Sequence, residues 1–279
     1  MLHVAAFQYF GLIILGFVVG SFGTLIGAGG GFVLMPLLLV LYPEERPETL
    51  AAISLAVVFF NTLSGSAAYA RMKRIDYKSG LMFAAATIPG AILGAVSTSY
   101  VSRRLFDGIF SVFLVAVGIA MFLKPKCEEE GNARPHIKSA HAIIRKMICA
   151  DGLFFEYSYN PMIGIVLSVF VGFLSSFLGI GGGIIHVPAM AYLLEFPVHI
   201  ATATSHFVLA IMTFTGSMVH IAQGSFHHGA LRTAALAIGV LIGAQLGAHF
   251  SIKVKGALIT HSLATALVLV GIRILFEAF

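Results

Sequence analysis

Two uncharged apolar runs, residues 1–43 and 157–194, are each broken by a glycine cluster: Gly27-Ala28-Gly29-Gly30-Gly31 and Gly179-Ile180-Gly181-Gly182-Gly183. A straight helix rises about 1.5 Å per residue, so a run of about 38 residues would extend about 57 Å, far beyond a bilayer core of about 30 Å. The chain therefore has to turn at the glycines. Each cluster is followed five residues later by a proline, Pro36 and Pro188, and the two clusters stand 152 residues apart.

The rest of the chain decides the solvent. Hydrophobic residues make up 58% of it, charged residues 10%, and the mean hydropathy is +0.96, a composition outside the range of soluble domains. Further stretches with at most one charged residue, long enough to cross a bilayer, predict spans near 49–70, 79–99, 105–123, 200–222, 232–250 and 256–276. The amino terminus lacks the basic region of a secretory signal, so the first span is expected to be retained. The net charge of +5 comes from short loops between apolar spans, which reads as a topology signal and not as a nucleic-acid footprint. Arg71, Lys73, Arg74 and Lys78 form one basic group; Lys124, Lys126, Arg134, Lys138, Arg145 and Lys146 form another, and both are expected to face the cytoplasm. Cys127 and Cys149 fall in that second region, where a reducing compartment argues against a disulfide.

The expected fold is an all-α integral membrane protein of the inner membrane, passing through it several times. It has two homologous halves, each a glycine-broken helical hairpin followed by three transmembrane helices. Residues 1–123 form the first, 158–279 the second, and 124–157 a cytoplasmic linker, read as a solvated connector with room for a short surface helix. Further matches support duplication: Gly20 with Gly172, Ser54 with Ser205, Gly65 with Gly216, and Gly90-Ala91-Ile92-Leu93-Gly94-Ala95 with Gly243-Ala244-Gln245-Leu246-Gly247-Ala248. Charge counting does not separate inverted from parallel repeats. Inverted repeats are favoured because they bring both glycine breaks together near the midplane, where secondary transporters bind their substrates.

A helix that starts inside a bilayer after Gly31 or Gly183 presents free backbone N–H groups and partial positive charge, which makes it an anion site. Candidate ligands for that anion are Gly27, Gly29, Gly30, Gly31, Gly179, Gly181, Gly182 and Gly183, with Ser54 and Asn61 on the first following span. Thr204, Ser205, His206 and Thr213 on its counterpart join them, as does His186 just past the second break. Tight helix packing is the competing role for the glycines, and interhelical hydrogen bonding for the hydroxyls. No cofactor is expected, and no histidine spacing points to a metal. Asp107, Glu195 and Glu277 sit near span ends, which argues against a carboxylate proton relay.

The paired GxGGG clusters with their prolines, the serine-bearing span after each, and the GAxLGA segments resemble the TauE/SafE family of sulfite exporters. The resemblance covers residues 10–123 and 160–276. It implies a carrier for sulfite or an organosulfonate, with export the leading direction, and the lipid bilayer as the other partner; a homodimer is compatible with it. Uptake of a sulfonate or another anion is the alternative, and an intramembrane histidine-based enzyme a more distant one. The second half reads Thr204-Ser205-His206 where the first reads Ala52-Ile53-Ser54, so the two half-sites are expected to differ, with stronger polar contacts from the second.

Overall fold

A computed structural model describes residues 2–123, 142–150, 152–226, 229–251 and 268–276. The order is α1 (Leu2–Ile26), α2 (Gly31–Leu41), α3 (Pro47–Arg71), α4 (Tyr77–Thr98), α5 (Arg103–Leu123), β1 (Ile143–Ile148), β2 (Phe154–Tyr159), α6 (Pro161–Leu178), α7 (Gly183–Leu193), α8 (Val198–Ala222) and α9 (Ala230–Phe250). Residues 268–276 are helical as well. Among the described residues, six helices are long and apolar enough to cross a membrane, so this is a multi-pass membrane protein. The span expected over 256–276 is described only from residue 268. Glu128–Glu130, Cys127 and His261 lie outside the described residues.

Local chemistry sets the helix boundaries. Pro47 and Pro161 each take the first helical position, where a missing N–H costs nothing. The Asn160 side chain caps α6 by accepting from Met162 N–H, and Asp76 caps α4 by accepting from Ser79 N–H. α6 stops where Gly179 adopts the left-handed region at φ 69°.

Glycines also fix which helices touch and in which direction. Gly239, Gly243 and Gly247 of α9 face the carbonyls of Ile13, Phe17 and Ser21, so α1 and α9 run the same way. Gly90 and Gly94 of α4 face the carbonyls of Val169 and Phe173, so α4 and α6 also run parallel. α3 and α8 run antiparallel, because Gly65 meets His206 while Gly216 meets Leu55. Small residues at these contacts let backbones approach closely, which substitutes for the hydrophobic drive that lipid removes. A Cβ on Gly243 would lie 2.3 Å from Phe17 O. Gly243→Val is therefore expected to lower stability in detergent by about 1–3 kcal/mol, read as a fall in the thermal midpoint of the purified protein.

The linker departs from its reading. β1 and β2 form an antiparallel hairpin pairing Ile143 with Tyr159 and Ile148 with Phe154, with Gly152 at φ 82° in the turn. The expected surface helix is absent from residues 142–159, because β1 alternates half-buried and exposed residues and β2 is aromatic-rich. The hairpin is not a loose connector either. Tyr157 and Tyr159 are buried against Phe196, just past α7, and Tyr159 packs on Phe83 of α4.

Polar contacts lock the hairpin to the α3–α4 connection. The Tyr157 hydroxyl donates to Asp76 Oδ2 at 2.9 Å, Arg145 Nε stands 3.5 Å from the same oxygen, and Ala150 N–H donates to Met72 O. Burial, then the Asp76 carboxylate, pushes the Tyr157 hydroxyl above its ordinary pKa of about 10, so it stays protonated and donates. This end of the molecule also holds the start of α8; the opposite end holds the α2–α3, α4–α5 and α8–α9 connections.

Candidate functional site at the paired helix breaks

Both breaks have the same backbone. Gly27, Gly29 and Gly30 have φ of 82°, 74° and 83°, and Gly179, Gly181 and Gly182 have 69°, 76° and 76°. Side chains with a Cβ rarely adopt that region, so these six positions call for glycine. Gly31 and Gly183 have ordinary φ and are glycine for a different reason, which is contact between the breaks. A Cβ on Gly31 would lie 2.4 Å from Ile180 O, and one on Gly183 would lie 2.4 Å from Ala28 Cα. Gly29 and Gly181 both pack on Val58, halfway along α3.

Two helix N-termini thus start at one place inside the molecule. In α2 the first helical bonds are Val33 and Leu34 N–H to Gly30 O; in α7 they are Ile185 and His186 N–H to Gly182 O. The N–H groups ahead of them belong to the break, where the dipoles of α2 and α7 add partial positive charge. α2 runs from there toward the α2–α3 connection, and α7 toward the hairpin. The Ser175 hydroxyl lies against Gly182, within 2.2 Å of where a Cβ would be, buried and without a hydrogen-bond partner.

A polar knot ties the first break to both halves. Thr24 Oγ1 donates to Asn61 Oδ1 at 3.2 Å, and Asn61 Nδ2 donates to Gly29 O at 2.9 Å. Tyr69 donates its hydroxyl to Thr24 O at 2.8 Å, and His206 Nε2 reaches across from α8 to Thr24 Oγ1 at 3.4 Å. At the second break Ser54 donates to Gly179 O at 2.5 Å. His186 Nδ1 lies 3.2 Å from Ser205 Oγ and its Nε2 lies 3.5 Å from Ser168 Oγ.

The structure therefore gathers the eight glycines, Ser54, Asn61 and His206 at the breaks, and pairs His186 with Ser205 beside them. Thr213 donates to its own helix at Leu209 O, and Thr204 accepts from Asp76 N–H beside the α3–α4 connection. Sequence reasoning passed over Thr24, Ser168, Ser175 and Ser176. Their signal was position: Thr24, Ser175 and Ser176 occupy the last turn before each glycine cluster.

The family model described as sulfite exporter TauE/SafE matches residues 12–274. The chain belongs to that family. It is 35% identical over 272 residues to the probable membrane transporter protein YunE of Bacillus subtilis, covering 95% of this chain and 97% of the relative. It is 29% identical over 215 residues to the probable membrane transporter protein MJ0441 of Methanocaldococcus jannaschii, with 75% and 71% covered. The probable membrane transporter protein YdhB of Bacillus subtilis is 23% identical over 270 residues, with 95% and 99% covered. No solved structure matches the chain.

In this TauE/SafE transporter two adjoining clefts open at the end opposite the hairpin. One, of 430 Å³, is lined by residues 43–48 with Ser99, Val101, Ser102 and Arg103; the other, of 520 Å³, by residues 41–45 with Arg232. They are not at the breaks, and their cations are engaged. Arg103 bonds Asp107, Glu45 O and Leu39 O, capping the end of α2, and Arg232 pairs with Glu45 at 2.8 Å. The clefts read as surface relief.

Proposed function

We propose that this transporter carries a small sulfur oxyanion or organosulfonate, sulfite first, out of the cell across the inner membrane. The anion sits where the N-termini of α2 and α7 meet. The observation that carries this reading is that meeting: two helix dipoles and unbonded N–H groups converge beside Asn61, Ser54 and Ser175, and the carboxylate on the adjoining span, Glu48, sits in the first turn of α3, away from the breaks. An inside-negative potential favours anion efflux by about 2.3 kcal/mol per charge per 100 mV, so export needs no coupling ion.

The chain is built, on this reading, from two inverted repeats. α1–α9 and α4–α6 contacts exchange under the offset of about 152, and the equivalent helices α3 and α8 run antiparallel. Each supports the inversion. The hairpin end is cytoplasmic, in keeping with Arg71, Lys73, Arg74, Lys78, Arg145 and Lys146 there, while acidic Glu44, Glu45 and Glu48 lie at the other end.

The test is uptake of labelled sulfite into proteoliposomes of purified protein, with and without an imposed potential, and with sulfate, taurine and sulfoacetate as competitors. Saturable, potential-sensitive sulfite flux is the expected result. No flux of any of these anions would overturn the assignment.

A further inference from the structure

The two breaks treat two matched pairs of positions differently, Thr24 against Ser176 and Tyr69 against His220, while Ser66 and Ser217 are alike in being buried without a partner. At the offset that aligns Gly20 with Gly172, Thr24 aligns with Ser176; at the offset that aligns Gly65 with Gly216, Tyr69 aligns with His220, Asn61 with Met212 and Leu55 with His206. Around the first break Thr24 bonds Asn61 and Tyr69, and His206 of α8 joins them from the other half. Around the second break Met212 and, from α3, Leu55 stand where Asn61 and His206 stand at the first, yet the polar groups remain. Ser175 Oγ, Ser176 Oγ, Ser217 Oγ and both ring nitrogens of His220 are buried without a hydrogen-bond partner. Ser175, Ser176 and His220 are fully buried and Ser217 is 3% exposed.

The groups lie along the α6–α8 contact. Ser175 faces Gly182 at the break, Gly216 of α8 packs on Ser176 Oγ and Leu55, and His220 stands one turn beyond Gly216 on the same face, with Ser217 between them in the chain. α8 runs from the hairpin end toward Gln223, which pairs with Ser99 at the other end. The row therefore leads from the α7 N-terminus, at Ser175, away from the hairpin. Keeping four polar side chains unsatisfied in a membrane-embedded core is costly for each, and a sequence that only needed packing would carry apolar residues there.

We propose that Ser175, Ser176, Ser217 and His220 line the outer leg of the substrate path and give hydrogen bonds to the oxyanion as it leaves the breaks. Hydroxyls and an imidazole, with no carboxylate in α6, α7 or α8, favour an anion over a cation. The inference rests on the transport reading above and adds the route by which the anion exits. The row is closed in this conformation by the α6–α8 contact at Gly216 and opens as those helices separate; the matching knot in the first half, held by its own bonds, closes the inner side.

The experiment combines labelling with flux. Ser176→Cys and Ser217→Cys proteins in sealed vesicles are exposed from the outer side to the impermeant anion 2-sulfonatoethyl methanethiosulfonate, and peptide mass spectrometry locates the label. Labelled-sulfite flux is compared for wild type, His220→Leu and, as the gentler variant, His220→Gln. Both cysteines are expected to react in the folded protein, and His220→Leu to lower flux by about tenfold or more, as expected for losing one hydrogen bond to a charged group. Cysteines that react only after unfolding, with both histidine variants within about twofold of wild type, overturn the proposal. If wild type moves sulfite while the cysteines stay unlabelled, the outer leg falls and the transport reading stands. Cysteines that label in a protein that moves none of the sulfur anions leave the polar leg standing and remove its assigned substrate.

Discussion

Gly182→Val is expected to abolish anion flux while the protein still inserts and folds. Gly182 holds φ 76°, a region that costs an ordinary residue about 1–2 kcal/mol and a β-branched one more. A Cβ there would also lie 2.2 Å from Ser175 Oγ and 3.0 Å from Val171 Cγ1. Both effects act on the N-cap of α7, so the valine turns the first N–H groups of that helix away from the meeting point and leaves the long spans in register. Gly11→Val is the matched control, since a Cβ there meets nothing within 4 Å. Flux in proteoliposomes and helicity by circular dichroism read the two apart. Gly182→Val protein that transports at the wild-type rate would remove the breaks from the site.

The long elements were legible because a bilayer demands long uncharged runs. Spans expected at 49–70, 79–99, 200–222 and 232–250 appear as Pro47–Arg71, Tyr77–Thr98, Val198–Ala222 and Ala230–Phe250, each slightly longer because caps and interfacial residues extend a helix past its apolar core. The turn at each glycine cluster was legible for the same reason, length against bilayer thickness. The contact between the breaks was not. Nothing local in Gly31 or Gly183 says that it faces Ile180 or Ala28, since that depends on how α3 and α8 cross. The hairpin was missed because its charges masked a period-2 pattern and its aromatic strand is held by Phe83 and Phe196, residues far along the chain. Asn61 was legible as an expensive amide in an apolar span; its partners Thr24 and Gly29 were visible only in three dimensions.

That amide gives the second large effect. Asn61 joins α1, the first break and α3 by accepting from Thr24 and donating to Gly29 O, and it is fully buried. Asn61→Leu keeps similar volume and leaves the Gly29 carbonyl without its donor in a core that holds few substitutes, at about 1–3 kcal/mol for a buried unsatisfied group. Its thermal midpoint in detergent should fall, and flux should fall with it because the break loses its tether. Asn61→Asp separates the two roles. A carboxylate can still accept from Thr24, so the α1–α3 link survives, yet it places negative charge beside the N-termini of α2 and α7, where it competes with the substrate anion for the same partial positive charge. Asn61→Asp is therefore expected to lose flux by about tenfold or more, since a like charge in a site shielded from water costs several kcal/mol. Equal flux in Asn61→Asp and wild type, measured with labelled sulfite at neutral pH, would show that the anion does not pass the amide and would move the site away from the first break.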